Sequence, residues 1–569
     1  MTKQQKHPKG LMVLFFTEMW ERFGFYLIIG IFFLYMTAGG DAKFPGMGFS
    51  GAKASDIYGS YLALVYLTPF IGGLLADRYL GYRLSITIGG LLFSAGYFLL
   101  AIPNETSFYL ALLLIILGNG LFKPNISALV GKLYDSNPKY KDNKDSGYNI
   151  FYMGINIGAF ICNFIAAYLR INYGWGWAFA AAGIGMLIGV IWFWVGQTYA
   201  QDIKEVDKVS PPTKDDIPMS RIFTTLFLPA FVAAFLGWMI PDNVFGSDST
   251  DAFLFFSLVV VIFYINILRK AKQEEKQPIK ALLAVFGSVV VFWAIFHQNG
   301  AALTVWAENH TNREVPALLE KPITVLGLNQ EVSTELKEVA KTDLHGAEIR
   351  DEQGNVITEL VPDPYFQNIP EEEWPESGKT NLISTELFQS INPGFIIIFT
   401  PLVVGFFGFL ARRRKKGPVS TPAKIGWGMV ITALSAVVMI GATIASENGA
   451  VKASAMWLFG TYAVITVGEL CLSPMGLSLV SKLSPPRITA LMMGGWFLST
   501  SIGNKLSGVL SGMWDIYDQK WHFFLTNTLL VMVSVGLIFL LLPWLNRVMK
   551  TYTEDHPTIQ EEVVDSEIE

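Results

Sequence analysis

The chain has 569 residues, of which 52% are hydrophobic and only 16% charged, against about a quarter charged in a soluble globular protein. With a mean hydropathy of +0.41 it reads as an integral membrane protein, and a net charge of −5 argues against nucleic acid as a partner. Cys162 and Cys471 both lie in apolar stretches, which excludes a disulfide framework or thiolate metal site.

A helix needs about 20 largely apolar residues to cross the hydrocarbon layer. Runs of that kind start near residues 11, 56, 83, 107, 147, 175, 221, 251, 281, 387, 423, 453, 487 and 522, fourteen in all. The first is long and interrupted by Glu18, Glu21 and Arg22, so it reads as a retained span rather than a cleaved signal. Loops on the N-terminal side carry Lys3, Lys6, Lys9, Arg78, Arg83, Lys132, Lys139, Lys141, Lys144, Arg269, Lys270, Lys272, Arg412, Lys416, Lys482, Arg487, Arg547 and Lys550. The opposite loops are nearly free of bases, so both termini are expected in the cytoplasm, with the chain in the cell (inner) membrane.

Charge is unevenly spread. Segment 309–385 holds 15 acids against 6 bases, and 554–569 holds seven acids and no base. With those −16 charges set aside from the net −5, the remaining chain carries +11.

An internal repeat is visible at an offset of 350. Gly118, Lys123-Pro124 and Leu129-Val130-Gly131-Lys132-Leu133 recur as Gly468, Ser473-Pro474 and Leu479-Val480-Ser481-Lys482-Leu483. These fall in the fourth and twelfth spans. With the seventh and eighth set aside as an inserted pair, they become the fourth and tenth of a twelve-helix core. Two six-helix halves related by an axis along the membrane normal is the major facilitator architecture. The fold class expected is therefore all-α integral membrane, with 14 transmembrane helices and a small extracellular insert. The expected division is 1–200 for an N-terminal six-helix bundle, 201–278 for a linker with the inserted helix pair and 279–550 for a C-terminal six-helix bundle. Segment 309–385 forms an extracellular acidic insert between core helices 7 and 8, and 551–569 an acidic, disordered cytoplasmic tail.

Ionisable residues in mid-span are costly and usually face a polar cavity. Glu18, Glu21 and Arg22 share one helical face, where Glu18 and Arg22 can pair at i, i+4; a structural ion pair is the alternative to a functional cluster. Lys123 precedes Pro124, and Glu469 occupies the matching zone of the repeat. Neither has an opposite charge on its own helix, and the simplest solution is a shared central cavity. His297 is either a packing residue or a group titrating near physiological pH. Tyr26, Tyr66, Asn156, Trp293, Asn392 and Trp496, each unremarkable alone, would with those charges make an amphipathic pocket for a zwitterion.

Glu18-Met19-Trp20-Glu21-Arg22-Phe23-Gly24-Phe25-Tyr26 resembles the E-x-x-E-R-F-x-Y-Y motif of the proton-dependent oligopeptide transporter family. Gly72-Gly73-Leu74-Leu75-Ala76-Asp77-Arg78, Phe151-Tyr152-Met153-Gly154-Ile155-Asn156 and Gly495-Trp496-Phe497-Leu498 resemble its further signatures. The resemblance implies symport of di- and tripeptides with protons across the lipid bilayer by alternating access, functioning as a monomer. It implies proton coupling by Glu18, Glu21 and Arg22, and gives Lys123 to that cluster or the peptide carboxylate. Glu469 is given to the peptide amino terminus, Asn156 and Asn392 to its backbone, and Tyr26, Tyr66, Trp293 and Trp496 to its side chains. Three positions depart from the pattern. Phe25 replaces a Tyr, Ile29 stands where many members have Arg, and His297 stands where members often have an acid. The last two are a gate pair missing together, and His297 is expected to replace the acid in part as a proton-sensitive gate residue.

In the insert, 330–341 has a helical pattern and 348–357 reads as a small hairpin, suggesting a partly structured cap. Two other readings stand beside peptide symport. One is a related facilitator for amino acids or peptide-like compounds; the other is a non-transporting receptor or scaffold using the insert. No hydrolase, kinase or metal motif is found, so neither enzymatic activity nor a cofactor is expected.

Overall fold

The computed structural model of the chain describes residues 7–39, 42–141, 143–207, 218–341, 351, 353, 355, 357–363, 365–366, 369–414, 419–485 and 488–555. The fold is all-α. The N-terminal half consists of α1 (Gly10–Thr37), α2 (Gly51–Leu75), α3 (Tyr82–Leu100), α4 (Glu105–Asp135), α5 (Lys144–Tyr173) and α6 (Trp175–Tyr199). The inserted pair is α7 (Leu228–Trp238), extended at its start by Met219–Ile222 and a π-helical turn Phe223–Phe227, and α8 (Asp248–Lys270). The C-terminal half consists of α9 (Lys276–Phe296), α10 (Ile391–Arg413), α11 (Thr421–Ala445), α12 (Met456–Leu483), α13 (Thr489–Gly512) and α14 (Lys520–Asp555).

Among the described residues thirteen helices are long and apolar enough to cross a membrane. The fourteenth, α13, falls short on composition because it turns Ser501, Asn504 and Lys505, all buried, toward α2 of the other half. Each helix begins near the residue where its apolar run does. The tail is the exception, since α14 continues through Asp555 and only 556–569 fall outside the described residues.

Two hydrophobic clusters follow the halves. One runs from Leu11 to Ile203 with Ala301; the other spans Ile222 to Tyr552, with Leu67 and Leu74 of α2 reaching into it. Across the molecule α2 packs along α13 and α5 against α10, while α7 and α8 pack mainly on each other. Helices α4 and α12 each keep their proline, Pro124 and Pro474, inside the helix.

The insert contains β1 (Thr311–Asn312), β2 (Asn329–Ser333), β3 (Lys337–Ala340), β4 (Thr358–Val361) and β5 (Lys379–Ile383), and β1 pairs with β6 (Ala453–Ser454) in the C-terminal half. The helix expected over 330–341 is not there. β2 pairs antiparallel with β5, Asn329 opposite Ile383, and β3 with β4, Lys337 opposite Val361. Val332, Leu336 and Val339 do recur at helical spacing, but Leu336 is exposed, so they form no buried stripe. Val332 instead packs with Leu382, Tyr365 and Phe366, and distant strands satisfy the backbone. The hairpin expected over 348–357 lies largely outside the described residues.

The insert touches both halves. Arg313, buried, donates to the Ile383 carbonyl at 2.9 Å and lies 3.3 Å from the Glu308 carboxylate beyond α9. From α5, Arg170 reaches Gln330 of β2 at 3.4 Å and Asn172 donates to the Gly327 carbonyl at 3.0 Å.

Candidate substrate and proton site

On α1 the spacing of Glu18, Glu21 and Arg22 puts all three on the buried face. Arg22 Nη2 donates to Glu21 Oε1 at 2.6 Å, and its Nε contacts Glu21 Oε2 and lies 3.4 Å from Glu18 Oε1. The i, i+4 pair read from the sequence is present, but Glu21 holds the guanidinium more closely. Glu18 Oε2 is buried without a hydrogen-bond partner among the described residues. The guanidinium lies 4.9 Å from the Phe25 ring and 5.9 Å from that of Tyr26. Phe25, where the motif has Tyr, therefore still serves as an aromatic face for Arg22.

Lys123 meets no carboxylate at ion-pair distance among the described residues. Its ammonium lies 4.4 Å over the Tyr66 ring, a cation–π contact, within electrostatic reach of Glu18, Glu21 and Arg22. His297 begins the 3-10 turn that ends α9. Its Nδ1 is 3.1 Å from the Trp293 carbonyl, and its ring lies 5.6 Å from Tyr66 and 5.4 Å from Trp293. Lys123 and His297 thus flank one tyrosine, one from each half. Ile29 packs against the apolar core of the N-terminal half.

From the C-terminal half, Asn392 Nδ2 donates to Glu469 Oε2 at 3.1 Å and to Thr466 Oγ1 at 2.9 Å. Glu469 makes no ion pair among the described residues, and it lies within electrostatic reach of Tyr26 and Tyr66 of the other half. Trp293 and Trp496 meet edge to face at 6.4 Å, and Trp293 Nε1 has no hydrogen-bond partner among the described residues. Asn156 donates at 2.9 Å to the carbonyl of Tyr152, one turn earlier on α5.

Three features escaped the sequence reading. Tyr152 also lies within electrostatic reach of Glu469, Tyr26 and Tyr66; its place one turn before Asn156 was the available signal. Lys505 of α13 pairs with Asp56 of α2 at 2.6 Å, and Arg170 of α5 with Glu386, just before α10, at 2.7 Å. Asp56, Arg170 and Glu386 lie near helix ends, where a charge raises no suspicion, whereas Lys505 stood in a serine- and glycine-rich run that signals a polar helix face.

A family model described as PTR2, POT family, matches residues 83–320 and 376–529. The chain is 30% identical over 548 residues to the uncharacterised transporter YclF of Bacillus subtilis (strain 168), covering 96% of this chain and 95% of that one. It is 30% identical over 543 residues to a di-/tripeptide transporter of Lactococcus lactis subsp. lactis (strain IL1403), covering 94% and 95%. A crystal structure of a peptide transporter POT in complex with sulfate superposes with a TM-score of 0.72 at 28% identity, covering 96% of this chain and 97% of that one. A mutant peptide transporter POT in complex with alafosfalin gives 0.73 at 28%, with the same coverage. The family model spans more than half of the chain and the relatives nearly all of it: the chain belongs to the POT family, the peptide-transporter family whose motif α1 resembles.

Proposed function

We propose that this protein is a proton-coupled symporter that imports di- and tripeptides by alternating access. The observation that carries the reading is the charge arrangement between the halves. Glu18, Glu21, Arg22 and Lys123 sum to zero on the N-terminal side, while Glu469 on the C-terminal side has an asparagine but, among the described residues, no cation at ion-pair distance. A buried carboxylate without a counter-ion is unfavourable until a cation or a proton reaches it. A peptide ammonium supplies that cation, and the peptide carboxylate meets Lys123, which has only a ring beneath it.

In this reading Glu18, Glu21, Arg22 and His297 handle the proton, with the unpartnered Glu18 Oε2 as the atom where it would rest. Lys123, Glu469, Asn156 and Asn392 hold the peptide ends and backbone, and Tyr26, Tyr66, Trp293 and Trp496 line the side-chain space. The unused Trp293 Nε1 is a donor available to a peptide carbonyl. The bias of basic residues toward one set of loops supports cytoplasmic termini, with 309–385 outside, in a protein that works as a monomer in the inner membrane. The division into bundles at 1–200 and 279–550, with the linker and inserted pair at 201–278 and the cytoplasmic tail at 551–569, belongs to the same proposal.

The test is uptake of labelled dialanine into proteoliposomes under an imposed proton gradient. Gradient-driven uptake lost in Glu469→Gln and Lys123→Ala supports the reading; no uptake by the parent protein, or uptake indifferent to both changes, overturns it.

A further inference from the structure

The α2–α13 seam contains an ion pair to which three helices contribute. The Lys505 side chain is 3% exposed, and its ammonium reaches Asp56 Oδ1 at 2.6 Å, Ser60 Oγ at 2.7 Å and Ser249 Oγ at 2.7 Å. An ammonium has three donors, and here each has an acceptor. Asp56 in turn accepts from Ser249 at 2.6 Å and Ser247 at 2.8 Å. Ser247 is the N-cap of α8, and its Oγ also accepts the Thr250 N–H at 3.2 Å. The carboxylate therefore lies at the start of α8, where the helix dipole favours an anion. Alongside, the two backbones touch: a Cβ on Gly59 would come 2.7 Å from the Gly508 Cα, so neither position has room for a side chain.

We propose that Asp56, Lys505 and Ser249 form a latch closing the route between the halves at the insert end, and that the inserted pair α7–α8 is a working third member of that gate. The proposal rests on the alternating-access reading above. Access from the insert end requires α2 and α13 to part here. An ion pair with a buried lysine and a partly exposed carboxylate suits that task, because the attraction lost on opening is in part offset by the water the ammonium regains. Closed and open arrangements then differ by little free energy, and hydroxyl geometry selects the closed one. Ser249 touches both ions, so α8 is bound to the latch rather than merely resting on the bundle. This gives the inserted pair a reason to present serines at its start.

The experiment measures distance and transport separately. Spin labels at Lys53 on α2 and Ile516 just beyond α13, both exposed, report the width of the seam in full-length protein in lipid nanodiscs, with neither substrate nor gradient. Lys505→Met and Asp56→Asn are expected to shift the population toward longer distances by about tenfold, the effect of losing one charge-assisted contact. Ser249→Ala should shift it in the same direction by less, and the exchanged pair Asp56→Lys with Lys505→Asp should restore much of the short distance. Unchanged distances in Lys505→Met and Asp56→Asn would overturn the latch. A shift in those two with none in Ser249→Ala would remove the inserted pair from it. If Lys505→Met does not fold, the exchanged pair and Ser249→Ala still decide. Distances that respond in a protein without dialanine uptake would retain the latch and reject the transport reading; uptake with unresponsive distances would do the reverse.

Discussion

Midway along the seam between the halves, Lys123 and Glu469 have a tyrosine ring and an asparagine for company and no counter-ion among the described residues. Toward the insert end, Lys505 holds Asp56 at 2.6 Å, and Arg170 holds Glu386 at 2.7 and 2.9 Å with Ser384 as a further acceptor. Both places lie in an apolar bundle, so desolvation burdens the charges at each, least of all Asp56, whose side chain is 29% exposed. Where the protein supplies the partner, the charge joins the halves. Where it withholds the partner, the charge is free to be neutralised by something that arrives and leaves. In the reading proposed above a transporter needs both: one closed end, and a middle whose charges are completed by cargo.

The largest expected effects test the middle. Glu469→Gln and Lys123→Ala should each lower gradient-driven dialanine uptake by about a hundredfold, as removing one member of a buried ligand ion pair does. Glu469→Gln strands no charged protein partner, so its thermal midpoint in detergent should stay close to the parent, whereas Lys123→Ala also removes the charge that neutralises the α1 cluster. A fall in midpoint matching the fall in uptake would show that these charges also hold the fold, and the contrast with the closed end would disappear.

Next comes the closed end. Glu386→Gln leaves the Arg170 guanidinium without its carboxylate in a buried site and should destabilise the protein by about 3–5 kcal/mol. Replacing both, Arg170→Met with Glu386→Leu, should recover much of that, because an apolar pair of similar volume avoids the desolvation. Thermal midpoints of the single and double variants measure this; equal losses in both would mean that the ion pair, and not stranded charge, sets the stability.

How far the sequence reveals this contrast depends on where each charge lies. Glu18, Lys123 and Glu469 interrupt apolar runs near mid-span, so hydropathy alone exposes them, and the repeat relates the helices of Lys123 and Glu469. Asp56 and Glu386 sit near the first turns of their helices, where charges are ordinary, and only tertiary packing shows them paired with a cation of the other half. Lys505 is a similar case: the polar residues that lower the hydropathy of α13 are those that line the seam. The insert was misread for a different reason. Val332, Leu336 and Val339 imitate a helical period in a short segment, and pairing with β5, some fifty residues away, decides for strand.

A smaller effect concerns His297. It shares Tyr66 with Lys123, and the aromatic rings of Trp293 and Phe296 lie at 5.4 and 5.2 Å. His297→Gln should displace the pH profile of uptake while changing its maximum little; a profile superimposable on the parent's would confine His297 to packing.

The smallest expected effect lies outside the membrane, where the insert joins the C-terminal half. His310 follows the helical extension of α9, with the Trp306 ring at 4.9 Å, the Trp514 ring at 6.1 Å and the ammonium groups of Lys452 and Lys520 nearby. Burial first, and then those two cations, lower its pKa from 6.5 to about 4. The unfolded chain therefore takes up a proton at a higher pH than the folded one, so the stability associated with neutral His310 is complete above pH 6.5 and is lost as the pH falls toward 4. Between about pH 7.5 and 5.5 the loss should be roughly 1 kcal/mol. Other groups titrate in the same interval, so the informative quantity is the difference between the parent and His310→Phe, which keeps a ring among the tryptophans and cannot ionise. The parent should lose more thermal stability than the variant over that interval. Equal losses would mean that the joint opens to water before His310 is protonated, and that the insert is held by Arg313 and its strands rather than by this aromatic cluster.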